Sequence, residues 1–487
     1  MYYKSTRSDV CVSDLQAVLL GLAPDGGLFV DESLPNRPFD WKKCLTLSEP
    51  DMMEMILHHV LPGFEDMGGL VKKAYAGKFE NDRISPVVRC GEDFVTELYH
   101  GPTSAFKDVA LSMLPHLITK AREQTGMTGE ILILTATSGD TGKAALEGFH
   151  DVPGTGIIVF YPDGGVSPVQ RAQMATQEGS NVKVCALKGN FDDCQRGVKS
   201  AFSTLGGKNA GGRQLSSANS INIGRLAPQI FYYFSAYAQL MAAGELSGGD
   251  EIDFVVPTGN FGDVLAGYYA KLMGLPVGRL VVASNENNIL ADFIGSGVYD
   301  TRRPFLRTDS PSMDILVSSN LERLLFLACG CDSGKVKSWM DDLSQNGVYS
   351  VDKATLENIQ SVFSAGFATQ EECDAACGKV WREQKYLIDP HTAVAFAVLE
   401  KLGRNGRKCV VLSTASPYKF PAAVLRSIGG DTSGDEFEQM EELKKLTGVP
   451  VPANLAGLRS RKVLHKDVIE KDSVVEYVSK ILEGGIG

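Results

Sequence analysis

The stretch "EILILTATSGDTGKAALEGF", Glu130 to Phe149, sets the fold class. A β-prone apolar run leads into a Ser-Gly-Asp-Thr-Gly turn and then into an Ala-rich stretch with helical character. The same order recurs in "IDFVVPTGNFGDVLAGYYAKLMG" at 252–274 and in "KCVVLSTASPYKFPAAVLRSI" at 408–428. Further strands are predicted at 155–161, 181–187 and 279–284. Strands that alternate with helices imply parallel sheet, and in open parallel sheets ligands bind beyond the carboxyl ends of the strands. All three polar turns fall at such ends.

The chain around these units has 487 residues, enough for two or three domains. A formal charge of −11 argues against nucleic acid or an anionic membrane as the main partner, since both require a basic field. No apolar run approaches the roughly 20 residues that span a bilayer. The longest near the start, "AVLLGLA" at 17–23, is short and closely flanked by Asp14 and Asp25, a poor signal peptide. The 10 cysteines lack C-x-x-C spacing and are read as reduced thiols of a cytoplasmic protein, with no metal site. Cys373 and Cys377 could share a helix face, but without a nearby histidine they do not make a metal motif. Residues 1–96 read as a mainly helical lead-in, with helical patterns at 13–21 and 51–62, and residues 431–487 as a charged helical extension with a solvated face.

Each turn could hold an anion. "TSGDTGK" at 137–143 stands between strand and helix, where free N–H groups and the positive helix end favour phosphate or carboxylate. It is not a Walker loop, because Thr137 replaces the first glycine and Ala144 follows Lys143. "GNFGD" at 259–263 lacks the G-x-G-x-x-G spacing of a dinucleotide fingerprint. A third feature is "HGPTSAFKDVALSML", His100 to Leu114, which puts Lys107 at the mouth of an apolar helix. An ordinary surface lysine is disfavoured at the positive end of a helix dipole. Two anion cradles and a nucleophilic lysine together suit pyridoxal phosphate: one loop for the cofactor phosphate, one for a substrate carboxylate, and the lysine for a Schiff base.

With "HGPTSAFKD", "LTATSGDTG", "SSANSINIGRLAPQIFYYF", "VPTGNFGDVLAGYYAKLMGLPV" and "STASPYKF" in this order, the chain resembles the threonine synthases, in the branch with an N-terminal extension. The similarity also covers "GLAPDGGLFV" at 21–30 and "DPHTAVAFA" at 389–397. The resemblance implies an α/β, tryptophan-synthase-β-like fold type II enzyme. It would have an N-terminal domain at 1–96, a catalytic core at 97–430 with a small subdomain at about 108–215, and a C-terminal extension at 431–487.

It also implies roles. Lys107 would carry the cofactor. Gly259, Asn260, Phe261 and Gly262 would cup its phosphate, with Asp263 capping the following helix, and Thr414 would face the pyridine nitrogen. A capping or turn hydroxyl is the alternative reading of Thr414. Thr137, Ser138, Gly139, Asp140 and Thr141 would wrap the substrate carboxylate. The role of Asp140 stays open, because an anion would repel the cofactor phenolate. Ser216, Asn219, Ser220, Asn222 and Arg225 would take the substrate phosphate, with Lys419 as a second positive charge. On the residues alone, 216–225 reads rather as a polar lead into an aromatic core helix, and His391 as a packing histidine.

The implied reaction converts O-phospho-L-homoserine and water to L-threonine and phosphate in a monomer or weak homo-oligomer. A phospho-lyase releasing 2-oxobutyrate, ammonia and phosphate would use the same motifs, and a non-catalytic sensor could keep the fold.

Overall fold

The three strand-turn-helix units divide between two sheets in the computed structural model, which describes residues 2–137, 139–205 and 213–485. The larger sheet has six strands in the order Phe363–Phe367, Val277–Ser284, Ile252–Pro257, Lys408–Ser413, Asp93–Glu97 and Val87–Cys90. All neighbours are parallel except the last pair. The smaller sheet is wholly parallel, in the order Asp467–Glu470, Val182–Lys188, Thr155–Pro162, Glu130–Ala136 and Arg213–Ser216. Strands Ile252–Pro257 and Thr155–Pro162 are buried along their whole length. Such continuous apolar runs are what a parallel sheet covered on both faces requires.

The lead-in forms a three-stranded antiparallel sheet (Tyr2–Ser5, Cys11–Ser13 and Phe29–Val30) with helices Asp14–Leu20, Glu49–Val60 and Met67–Tyr75. It is fastened to the helix that starts at Lys107: the Tyr75 hydroxyl donates to the Val109 carbonyl at 2.7 Å. The helix Ile230–Ala242 is core, as its aromatic run predicts; Phe231, Tyr232, Tyr233 and Phe234 are all buried.

Two regions differ from expectation. Val87–Cys90 and all but the last residue of its antiparallel partner Asp93–Glu97 lie within 1–96 but belong to the large sheet. The C-terminal extension is more than a solvated helical face. Asp467–Glu470 adds a strand beside Val182–Lys188, and helix Val474–Gly484 buries Val474, Val478 and Leu482 in the apolar cluster under helix Phe191–Leu205. The i, i+4 and i+8 spacing of those three residues makes one apolar stripe inside a charged segment. Among the described residues no helix is long and apolar enough to cross a membrane, and no group of His, Cys, Asp and Glu could hold a metal ion.

Candidate active site

Two loops from opposite ends of the sequence are stitched together by backbone. The Phe106 N–H donates to the Thr414 carbonyl at 2.9 Å, the Ser416 N–H to the Ser104 carbonyl at 3.1 Å, and Ala105 pairs with Ala415 as an antiparallel bridge. The turn costs one left-handed residue, Ser104 at φ +58°. The residue after the lysine closes the loop: Asp108 accepts from the Thr103 N–H at 2.8 Å and from its hydroxyl at 2.6 Å. Burial pushes the Asp108 carboxyl up to about 6 against those donors. Lys107 is thereby fixed as the first residue of its helix, beside Thr414 at the end of strand Lys408–Ser413.

The half-buried Lys107 amine donates to the Ser312 hydroxyl at 3.3 Å. Desolvation pushes it down to about 8; Asp140 opposes that shift, and Lys419 and Arg225 add to it. A lysine amine lowered in this way sheds its proton more readily than an ordinary one, and the free amine is the form that acts as nucleophile or base.

Strand Ile252–Pro257 feeds the turn Thr258–Phe261 and the helix Gly262–Leu272. Phe261 takes a left-handed φ of +63°, and no side chain caps the helix, so its first-turn N–H groups are left for a ligand. A Cβ on Gly259 would stand 2.8 Å from the Ser312 carbonyl oxygen, so only glycine fits there. An uncapped helix start, a glycine turn and a low-pKa lysine are a donor set that fits a phosphate-bearing aldehyde cofactor. Asp263 departs from its expected capping role. Its Oδ1 accepts from the Tyr232 and Tyr233 hydroxyls at 2.6 and 3.0 Å, because the aromatic core helix passes behind the loop. Burial pushes its carboxyl up to about 6.

The turn after Glu130–Ala136 is braced from within. The Thr137 hydroxyl accepts from the N–H groups of Gly139 and Gly142 at 3.0 and 2.9 Å, so it serves the turn itself. Gly139 has φ +151°, and a Cβ there would lie 2.3 Å from the Gln170 side chain. Thr141 is half-buried in the first turn of helix Asp140–Phe149, and Ser138 lies outside the described residues.

Asp140 forms a buried ion pair with Lys419 at 2.6 Å and accepts from Gln170 at 3.1 Å. Burial alone would raise its carboxyl; the charges of Lys419 and Lys107 outweigh burial and hold it below the usual carboxylate range. Lys419 also donates to the Thr103 carbonyl at 3.1 Å, so its charge is spent on the lysine loop and on Asp140. The expectation placed Lys419 as a second positive charge for the substrate phosphate; the structure pairs it with Asp140 instead, which supplies the partner that the sequence left open for that carboxylate.

The segment 216–225 has two characters. Asn222 is fully engaged: its side chain accepts from the Gly224 N–H and donates to the Val18 carbonyl, each at 2.9 Å. Ser216 leans on the Leu19 carbonyl at 3.5 Å. Asn219 accepts from the Ser220 hydroxyl at 3.2 Å and stays exposed. Ser220 offers its carbonyl to Asn320 at 3.2 Å.

Arg225 is different. It is buried, donates once to the Ala218 carbonyl at 2.9 Å, and leaves Nε without a partner. Burial pushes it down to about 10, and no carboxylate lies within ion-pair distance among the described residues. Sequence reading missed Ser312, Gln170 and Asn320. Nothing in their local pattern marks them, since each acts across the fold on a distant segment.

Family models match along the chain: a threonine synthase N-terminus over residues 2–75, a pyridoxal-phosphate dependent enzyme over 94–414, and a threonine synthase C-terminal region over 392–475. The threonine synthase of Saccharomyces cerevisiae is 38% identical, over 91% of this chain and 93% of its own length. The human threonine synthase-like 1 is 36% identical over 85% of this chain, which spans 58% of that relative's length. The crystal structure of pyridoxal-phosphate-bound threonine synthase from Brucella melitensis superposes with a TM-score of 0.88 at 37% identity, covering 99% of each chain. These matches run through the lysine loop, the glycine turn and both ends of the chain, and the protein belongs to the threonine synthase family of pyridoxal-phosphate-dependent enzymes.

Proposed function

We propose that the protein converts O-phospho-L-homoserine and water to L-threonine and phosphate. The observation that carries this reading is Arg225: a buried guanidinium with an unpartnered Nε and no carboxylate against it among the described residues, in the same site as a lysine whose pKa is lowered to about 8. A buried cation left without a partner is costly unless the ligand brings the anion. The glycine turn already supplies donors for the cofactor phosphate, so Arg225 is left for a second phosphate, that of the substrate.

Bound pyridoxal phosphate would supply the electron sink that stabilises negative charge at the substrate carbons. Lys107 would anchor the cofactor and, once displaced by the substrate amine, remove the α-proton and then move the β-proton. Gly259, Asn260, Phe261 and Gly262 would hold the cofactor phosphate through backbone N–H groups. Thr414, whose hydroxyl has no hydrogen-bond partner among the described residues, would meet the ring nitrogen without donating a carboxylate's charge to it. The N–H groups at the start of helix Asp140–Phe149, with Thr141, would bind the substrate carboxylate, and the Asp140–Lys419 pair would brace that turn.

The division into 1–96, 97–430 and 431–487 is kept with one change at its first border: residues 87–96 go with the core that carries the chemistry, the lead-in before them fastens the substrate loop, and the end of the C-terminal extension straps the small sheet. A cytoplasmic monomer or weak homo-oligomer is the matching cellular form.

The test is a balance sheet on one sample: the cofactor-loaded protein is mixed with O-phospho-L-homoserine, and phosphate, threonine and 2-oxobutyrate are quantified. Threonine equal to phosphate is expected. Phosphate matched by 2-oxobutyrate would make the protein a phospho-lyase, and full turnover by K107A would remove Lys107 from its role.

A further inference from the structure

Ser312 belongs to none of the motifs that carry the family resemblance, yet it touches three parts of the site. Its hydroxyl accepts from the Lys107 amine at 3.3 Å. Its carbonyl oxygen fills the space that a Cβ on Gly259 would need. Its N–H donates to His391 Nε2 at 3.2 Å. The His391 ring is fixed in turn by Asp389, which lies 2.6 Å from Nδ1 and also accepts from the His391 and Thr392 N–H groups. Because a backbone N–H can only donate, Nε2 must accept. The proton of the neutral ring therefore sits on Nδ1, facing the carboxylate.

The loop around Ser312 is also pinned from the other side. Asp314 gathers the Thr308 N–H at 2.9 Å, the Thr308 hydroxyl at 2.8 Å, Asn285 at 2.8 Å and Asn287 at 3.0 Å. A hydroxyl on a loop held from both ends is preorganised rather than passing by chance.

We propose that Ser312 is a positioning residue for the free amine of Lys107, with the Asp389–His391 pair setting the position of Ser312. This rests on the reading of Lys107 as the proton carrier. When the substrate amine displaces Lys107, an N–H of the freed amine is taken by the Ser312 hydroxyl, which turns the nitrogen lone pair away from Ser312 and toward the substrate. In the step that follows, the α-carbon–hydrogen bond breaks and an N–H bond forms at Nζ. The electron pair left on carbon spreads into the conjugated system joined to the substrate nitrogen. Without Ser312 the lysine tip would regain its rotamers, and the reactive orientation would be one among several.

The test separates this role from threonine formation. In D2O, the cofactor-loaded wild type, S312A and S312T are given L-2-aminobutyrate, which has an α-proton but no leaving group, and exchange of that proton is followed by NMR. The visible absorption of the Lys107–cofactor linkage is recorded alongside. S312A is expected to keep full cofactor content and the same absorption band while exchange slows about tenfold, the size of one hydrogen bond. S312T, which retains the hydroxyl, is expected to recover most of the rate. With O-phospho-L-homoserine, the loss in S312A should fall on kcat with KM within about twofold.

Equal exchange in wild type and S312A would overturn the inference. So would a loss in S312A that appears only as reduced cofactor content, or an S312T no better than S312A. A wild type that exchanges the α-proton yet makes no threonine would sink the proposed function and leave the Ser312 test intact. Absence of exchange in the wild type would remove the base that Ser312 is said to hold.

Discussion

Two buried cations stand within the same site, and the fold treats them differently. Lys419 is closed off by the Asp140 carboxylate and the Thr103 carbonyl. Arg225 has one carbonyl and a spare Nε. A cation whose partner is built in serves the architecture, since it joins the lysine loop to the small-sheet turn. A cation that finds no carboxylate among the described residues is open to an anion from a ligand. Charge in a site therefore indicates ligand binding only after the protein's own carboxylates have been counted against it.

The sharpest way to break this contrast is K419M. It should destabilise the protein by about 3–5 kcal/mol, because the Asp140 carboxylate stays buried without its partner. K419M/D140N should regain most of the loss, read from urea midpoints. An unchanged midpoint for K419M would put Lys419 in the ligand-binding class.

R225M comes next, with the opposite profile. Its stability should change by no more than about 1 kcal/mol, while kcat/KM for O-phospho-L-homoserine falls about 100-fold with the loss of the charge-assisted bonds to phosphate. A collapse in stability like that of K419M would erase the distinction.

Inorganic phosphate offers a smaller effect. At ten times its Kd it should stabilise the cofactor-loaded wild type by about 1.4 kcal/mol and leave R225M unmoved, as seen in thermal midpoints. Equal shifts in both proteins would place the phosphate elsewhere.

The smallest effect is in pH. Lys419 and Lys107 more than offset burial and hold the Asp140 carboxyl below its usual range. Its contribution to stability is therefore complete above the unfolded value of about 4 and fades as pH falls through the lower folded value. The advantage of wild type over D140N should be flat from pH 6 to about 4 and shrink below that. An advantage that grows on acidification would reverse the sign assigned to the pair.

Much of the fold was legible because strand, polar turn and helix are local signals. Glu130–Ala136, Ile252–Pro257 and Lys408–Ser413 each stand where an apolar run meets its turn. The place of Lys107 was legible for the same reason, between a turn and the apolar helix that it opens. What was not legible depends on meetings across the chain. Asp140 and Lys419 lie in different motifs, and nothing near either one announces the other. Asp263 looked like a helix cap until two tyrosines from the core helix claimed its oxygen. Asn222 looked like a ligand donor until the N-terminal Val18 carbonyl used its amide. The apolar stripe of Val474, Val478 and Leu482 was present in the sequence but hidden by the charge around it.

The bridge between Ala105 and Ala415 also has a consequence for how the protein reaches its native state. The lysine loop and the Thr414 loop are more than three hundred residues apart in sequence, as are the strands Asp93–Glu97 and Lys408–Ser413 that pair beside them. Contacts of such long sequence separation form late, because the loop they close is entropically expensive. A chain leaving the ribosome would have its glycine turn and its lysine long before it had a place for the lysine to act. Uptake of the cofactor would then mark the end of folding rather than assist its beginning.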